Sequence, residues 1–256
     1  MKSFAATILT VILVLAACSI REERAGCPCR LEIDMQPFLE FTTRATVAVW
    51  NGADAWQETV PAAETYVRNI RKGEILSSVW SGQREGQLSG TRLVMPPRAE
   101  PDSLRIFNAR LDCQEETCRI KAVPLKQFCR VTLRVIRDMG VPYPYQFYVE
   151  TDCCGIDLQD LSPVTGDHVF PVREQTDGTF AFTLLRHRQA SDIVLAIYDE
   201  KERVDTLPLG DWMREAGYDW EAEELSDITL TVDHAHQRVG IVLSDWQEGR
   251  ILQLEL

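Results

Sequence analysis

The chain has 256 residues, with 27 basic against 39 acidic side chains and a formal charge of −12. That balance argues against a nucleic-acid partner and against docking on an anionic membrane through a basic face. The hydrophobic fraction, 45 %, is that of a chain that buries ordinary cores.

The N-terminus reads as an export signal. Lys2 is followed by an apolar, uncharged run over residues 5–17. A membrane-spanning helix needs about 20 such residues, and this run has the length of a signal-peptide core instead. It ends in Leu15-Ala16-Ala17-Cys18, which resembles a lipobox, the site at which bacterial lipoprotein precursors are lipidated and cut. A thiol is the nucleophile that can carry a thioether-linked lipid, and small Ala16 and Ala17 let a peptidase reach the backbone. Cutting between Ala17 and Cys18 removes residues 1–17 and leaves 239 residues, 26 basic and 39 acidic, with a charge of −13. Residues 18–26 form a polar tether (Ser19, Arg21, Glu22, Glu23, Arg24). Residue 19 is Ser, not the Asp of a known inner-membrane retention signal, so the outer membrane is expected. Two or more acyl chains, palmitate among them, hold a protein firmly. The lipid on Cys18 is the sole non-protein group expected; no cofactor and no metal is.

The eight cysteines are residues 18, 27, 29, 113, 118, 129, 153 and 154. With Cys18 lipidated, seven remain, an odd number, so one stays free or pairs between chains. An exported chain meets an oxidising compartment in which disulfides persist. The expected local bridge is Cys113–Cys118, across the polar turn 114–117 between two apolar runs. Cys-Pro-Cys, Cys-Cys and Cys-x4-Cys lack the ligand spacings of zinc modules.

In chain order, residues 29–35 alternate, with Leu31, Ile33 and Met35 against Arg30, Glu32 and Asp34, the pattern of a half-buried strand. Further strands are predicted over 46–50, ending at the turn Asn51-Gly52, and over 65–70 and 75–80, on either side of a turn at 71–74. Turn signals about ten residues apart give the rhythm of a sandwich or barrel. A polar loop at 81–90 and a short strand at 91–95 follow. Residues 103–111 and 119–123 read as a hairpin closed by the Cys113/Cys118 turn. A domain boundary is placed at Pro124-Leu125, between an N-terminal sandwich over 27–124 and a C-terminal one over 125–256. Val131, Leu133 and Val135 then alternate with Arg130, Thr132 and Arg134. Residues 145–150 are β-favouring, 153–161 an irregular connection, and 169–172 a short edge segment because Pro171 has no N–H to donate. Strands are predicted over 179–185, 192–198, 204–209, 227–233, 238–244 and 249–256. One helix is predicted over 211–216, capped by Asp211 and stopped by Gly217.

Catalytic patterns are sparse, and no enzyme is expected. His234 and His236 fall on one face of a strand, but beyond Asp233 no third metal ligand follows them. No Gly-x-Ser-x-Gly, His-Glu-x-x-His or phosphate-cradling glycine loop occurs. Asp and Glu are numerous, so a carboxylate pair for glycoside cleavage stays open. Of the tryptophans (50, 56, 80, 212, 220 and 246), Trp50, Trp80 and Trp246 fall at strand ends, where they cap a core. Trp212 and Trp220 flank the short helix, and their exposure would suit a glycan-binding surface.

Several stretches resemble the fimbrial anchor subunits of Bacteroidetes fimbriae, lipoproteins of the minor-fimbria type related to fimbrillins. The lipobox, the charged tether and Gly26-Cys27-Pro28-Cys29 running into a strand are similar to the start of that family. Glu64-Thr65-Tyr66-Val67, followed by Lys72-Gly73-Glu74 and Val79-Trp80, resembles its strand, Lys-Gly turn and strand with a terminal Trp. Residues 129–135 resemble the opening strand of its second domain, and 239–246 followed by 251–256 its closing hairpin. The resemblance covers most of the mature chain and implies an all-β fold of two consecutive transthyretin-like β-sandwiches. It implies a lipoprotein of the cell outer membrane, at the base of a fimbria (pilus), that holds the polymer of stalk subunits and limits its length. Stalk subunits lose a first strand to an arginine-specific protease and take a strand from a neighbour. An anchor keeps its first strand, so the tether should stay uncut at Arg21 and Arg24, with Arg44 a second site to test. The strand Ile251, Leu252, Leu254, Leu256 is the candidate subunit contact, or it completes the second sandwich. The alternatives are an accessory or tip subunit and a surface glycan-binding lipoprotein.

Overall fold

The computed structural model describes residues 27–136, 145–233, 238–243 and 252–255, the last two stretches as backbone. Strand β1 (Cys29–Asp34) buries Cys29, Leu31 and Ile33 and turns Arg30 outward, as the alternation predicts. A 3-10 turn over Gln36–Glu40 drops Phe38 into the core. Strands β2 (Arg44–Asn51) and β3 (Asp54–Pro61) form a hairpin, and Gly52 takes φ +61 in its turn, where a side chain would be strained. β3 has no counterpart in the sequence reading. It is an edge strand with little burial on either face, so it carries no apolar alternation.

Strands β4 (Thr65–Ile70), β5 (Glu74–Ser81), β6 (Gln87–Ser89), β7 (Arg92–Val94), β8 (Arg105–Asp112), β9 (Thr117–Lys121) and β10 (Leu125–Lys126) follow. Then come β11 (Phe128–Ile136), β12 (Gln146–Asp157), β13 (Pro163–Pro171), β14 (Arg173–Glu174), β15 (Phe180–Leu185), β16 (Ile193–Asp199) and β17 (Glu202–Leu207). Helix α1 (Leu209–Glu215) precedes β18 (Ile228–Asp233), β19 (Arg238–Leu243) and β20 (Leu252–Glu255).

The architecture is all-β, and the described strands form four sheets. The first has order β4-β1-β9 and the second β10-β8-β5-β2-β3; they enclose a core of Leu31, Ile33, Phe38, Val47, Val49 and Val79. The third has order β14-β15-β11-β18-β19-β20. The fourth has order β17-β16-β12-β7-β6, with β13 on the other edge of β12. The third and fourth enclose Val131, Leu133, Phe147, Val149, Phe180, Phe182 and Leu195.

Two expectations need correction. The stretches 103–111 and 119–123 do not form a hairpin: β8 lies in the second sheet, whereas β9 pairs in parallel with β1 in the first. The connection between them therefore crosses from one layer to the other. Residues 153–157 are not irregular either, because β12 continues through them. Two register shifts against β13, between Thr151 and Cys153 and between Cys153 and Gly155, break the period of two that sequence reading looks for.

Backbone pairing crosses residues 124 and 125 in both directions. β10 belongs to the second sheet, and the β6–β7 hairpin from the first half joins the fourth sheet through β12. β7 lies along the same edge of β12 as β16, farther along the strand. Gly155 makes that approach possible, since a Cβ there would stand 2.3 Å from the Leu93 carbonyl oxygen. A third core, of Ala48, Trp80, Leu93, Met95, Leu104, Ile106, Ile156, Leu158 and Leu185, fills the space between the halves.

Helix α1 starts two residues earlier than predicted. Pro208, not Asp211, is its N-cap, and Asp211 instead pairs with Arg214 at 3.0 Å. It ends as predicted at Gly217, with φ +77: the Gly217 N–H bonds the Arg214 carbonyl at 3.0 Å and the Tyr218 N–H the Met213 carbonyl at 2.9 Å. That is the paired bonding of a Schellman stop. Leu209, Trp212 and Met213 hold it to the core beside β16. Among the described residues no helix is long and apolar enough to cross a membrane.

Candidate subunit-contact site

The candidate site involves two strands, β1, which follows residues 18–26 in the chain, and the edge strand β20. Ala17 and Cys18 lie outside the described residues, as do Arg21, Arg24, Ile251 and Leu256. β1 is the middle strand of its sheet, paired antiparallel to β4 from Cys29 to Asp34 and parallel to β9 from Arg30 to Asp34. Its inward side chains, Cys29, Leu31 and Ile33, are wholly buried. Taking β1 out would open a groove along the first core and strip both neighbours of their ladders.

Arg44 sits at the start of β2. Its guanidinium bonds the Thr59 carbonyl oxygen at 3.0 Å, and its backbone pairs with Pro61 in the β2–β3 ladder. The next residue, Ala45, is buried. A protease needs an extended, unpaired segment, which this bond does not offer while β2 is in its sheet. An arginine-specific protease is expected to leave Arg44–Ala45 intact in native protein. N-terminal sequencing of the digest checks this, and a new N-terminus at Ala45 would contradict it.

β20 pairs antiparallel with β19, Leu252 opposite Ile241 and Leu254 opposite Val239. It completes the third sheet as its last strand, and among the described residues no strand pairs its outer side. An unpaired strand edge is a template for another strand. The two readings that the sequence left open for this strand are therefore compatible.

The junction between the halves is held by groups that the sequence reading passed over. A single residue, Gln127, separates β10 from β11, and it is buried. Its N–H bonds the Leu104 carbonyl at 3.0 Å, and its carbonyl accepts the Arg186 N–H at 3.0 Å. The Arg186 guanidinium donates to Gln127 Oε1 at 2.8 Å, to the Ala222 carbonyl at 2.8 Å and to the Trp220 carbonyl. Burial lowers the pKa of Arg186, and the nearby Tyr218 and Asp219 act against that. Lys126 Nζ pairs with Asp227 at 2.6 Å, and Asp227 also accepts the Arg130 N–H at 2.7 Å. No periodic pattern announces such a clamp, because its parts come from residues 126, 127, 186 and 220–227.

Trp212 and Trp220 are buried at 7 % and 3 % exposure, so they offer no glycan platform. Trp220 instead packs on His187, with ring centroids 4.9 Å apart. Among the described residues, an aromatic pair that does reach the surface is Tyr148 and Tyr198, half-buried, edge to face at 5.1 Å. It lines an open groove of about 490 Å³ with Arg98, Val169, Pro171, Glu200 and Lys201.

All seven described cysteines are free thiols, and Cys113 and Cys118 sit at the same core. Among the described residues no group of three or more His, Cys, Asp or Glu side chains is arranged to hold a metal ion.

No protein-family model matches the chain, and no curated protein matches it. Solved structures do. A candidate adhesin from Bacteroides ovatus is 16 % identical, with a TM-score of 0.59, over 93 % of this chain and 98 % of that one. The fimbrial anchor protein Mfa2 from Porphyromonas gingivalis is 13 % identical, with a TM-score of 0.57, over 89 % of this chain and 99 % of that one. A candidate polysaccharide-binding protein from Bacteroides thetaiotaomicron is 13 % identical, with a TM-score of 0.56, over 89 % and 98 %. Along nearly its whole length, this chain has the fold of these candidate-adhesin and fimbrial-anchor structures.

Proposed function

We propose that the mature chain begins at a lipidated Cys18 and acts, without catalysis, as an outer-membrane fimbrial anchor. It ties a polymer of stalk subunits to the cell and limits its length through a strand contact at the outer edge of β20. The observation that carries this reading is the place of β1. The segment bearing Cys18 runs into the middle strand of a sheet, and that strand already fills its own groove. A subunit in that state has no vacancy for a donor strand at this end, as the terminal member of a polymer requires. The shared fold with a protein named as a fimbrial anchor supports the same role. The clamp at Gln127 and Arg186 and the third core would carry load between the lipid and the free edge.

Replacing Cys18 by serine tests the anchoring. Labelled palmitate is expected on the parent protein alone, and the variant is expected to lose its place in the outer-membrane fraction. Equal labelling and equal membrane recovery of the two would sink the lipid anchor.

A second reading is favoured by the Tyr148–Tyr198 groove, and a protein of this fold is named for polysaccharide binding. Sugars stack on exposed aromatic faces, and Arg98 and Lys201 suit acidic sugars. Tyr148→Ala with Tyr198→Ala is expected to abolish any glycan-array signal of the parent protein. An unchanged signal would remove this groove from consideration.

A further inference from the structure

Three thiols meet where the chain enters the first pair of sheets. Cys29 opens β1, Cys113 follows β8, and Cys118 is the second residue of β9. Cys29 and Cys113 belong to one buried core cluster, and Cys118 packs against it. Cys29 and Cys113 are wholly buried, Cys118 is half-buried, and all three belong to the core formed by Leu31, Ile33 and Val79. The main chain holds each in place. Cys113 exchanges two hydrogen bonds with Gly73, at 2.9 and 3.4 Å, and the Arg30 N–H bonds the Glu116 carbonyl at 2.8 Å.

Register decides which pairs can bond. In the parallel β1–β9 ladder the residue opposite Cys118 is Leu31, not Cys29. Cys29 and Cys118 are therefore diagonal neighbours, two residues apart along strands about 4.8 Å apart, which separates their α-carbons by about 8 Å. A disulfide spans less than that between α-carbons. Cys113 is thus the sulfur common to both remaining pairs. Bonding it to Cys118 ties neighbours across the turn 114–117. Bonding it to Cys29 encloses both sulfurs and leaves the half-buried Cys118 as the thiol facing solvent.

We propose that Cys29 and Cys113 form the resting disulfide, made by way of Cys118, and that it locks the first strand into the fold. The inference rests on the export reading, which supplies an oxidising compartment and a disulfide-donor protein as oxidant. The Cys118 thiolate attacks the donor disulfide, forming a mixed disulfide and releasing one donor thiolate. The Cys113 thiolate then attacks the Cys118 sulfur, forming Cys113–Cys118 and releasing the second donor thiolate. Finally the Cys29 thiolate attacks the Cys113 sulfur; the Cys113–Cys118 bond breaks, and Cys118 leaves as a thiolate that regains a proton. Two protein thiols are oxidised, one donor disulfide is reduced to two thiols, and the two protons go to the donor. Burial raises the thiol pKa of both Cys29 and Cys113, so the exchange runs before β1 docks and the bond is inert afterwards. A pull on the tether then passes from Cys29 straight to the end of β8, in the second sheet, instead of peeling β1 from its neighbours.

Peptide mass mapping without reductant, after blocking free thiols with N-ethylmaleimide, tests this on the full chain. One sample comes from the cell envelope and the other from purified protein refolded with reduced and oxidised glutathione. Linked Cys29–Cys113 with an alkylated Cys118 is expected in both, and Cys118→Ser is expected to keep that bond while forming it more slowly. Linked Cys113–Cys118 with an alkylated Cys29, or three alkylated thiols in the refolded sample, would overturn the proposal. The bond in refolded protein beside three free thiols in cells would support the pairing and overturn the export reading instead.

Discussion

Replacing Trp80 by alanine is expected to destabilise the protein by about 4 kcal/mol. Trp80 is wholly buried in β5, between Thr46 of β2 and Ile106 of β8. It belongs to the core between the halves, with Leu93, Met95, Leu104, Ile156 and Leu158. Its indole N–H donates to Gln83 Oε1 at 2.7 Å, and the Gln83 amide donates to the Gly86 carbonyl at 2.6 Å. Truncation opens a cavity that packed sheets cannot close, and it leaves a Gln83 acceptor without its donor. Domains are stable by about 5–15 kcal/mol in all, so the loss is a large share. Because the cavity lies between the halves, urea unfolding followed by circular dichroism is expected to start earlier and to divide into two transitions. Val123→Ala, at a position 51 % exposed, is expected to change stability by less than about 0.5 kcal/mol. A single transition at the parental midpoint for Trp80→Ala would contradict the coupling assigned to this core.

Acidification from pH 6.5 to 4 is expected to cost about 3 kcal/mol through His187 alone. The ring is buried against Trp220, between the Leu185 carbonyl at the end of β15 and the Thr151 hydroxyl of β12. Nδ1 bonds the Leu185 carbonyl oxygen, an acceptor only, so Nδ1 carries the proton. Nε2 is then left to accept the Thr151 hydroxyl. A second proton would meet a site arranged to donate. Burial lowers the pKa from 6.5 to about 4, with His168 acting in the same direction and the Leu185 bond and Asp152 against it. The sign follows from where the proton binds. Between pH 6.5 and 4 the unfolded chain takes up a proton that the native protein refuses, so stability falls with pH across that window and levels off below it. His168, whose pKa is also lowered by burial, adds a fall of the same sign. His187→Gln is expected to flatten most of the slope between pH 4 and 6.5 in chemical denaturation. An unchanged slope would place the proton elsewhere.

The strands best legible in the sequence are those with one face in a core. β1 and β11 show it plainly: Leu31 and Ile33, and Val131 and Leu133, alternate with charges, and burial follows that alternation. Three features escaped for three reasons, whereas β7 and the first half of β12 fall where strands were predicted. β3 has little burial on either face, the second half of β12 is thrown out of period by its bulges, and β6 is too short to show a period. Tryptophan positions were misjudged where they depend on what the chain brings back. Trp212 and Trp220 flank a helix in sequence, yet α1 and the loop after it fold inward to cover β16. The candidate contact strand was legible as a strand, but its standing at a sheet edge depends on the order of the six described strands of that sheet. The meeting of Cys29 with Cys113 and Cys118 was invisible for the same reason, because it requires β8 and β9 to part into different sheets.

The most direct measurement is deletion of this protein in the native bacterium. Fimbrial polymer on the cells would be quantified against polymer in the medium, with filament lengths recorded by electron microscopy. An anchor and terminator requires long filaments lost to the medium, restored to the cells by the parental chain and not by Cys18→Ser. Normal retention and normal length after deletion would contradict the anchor.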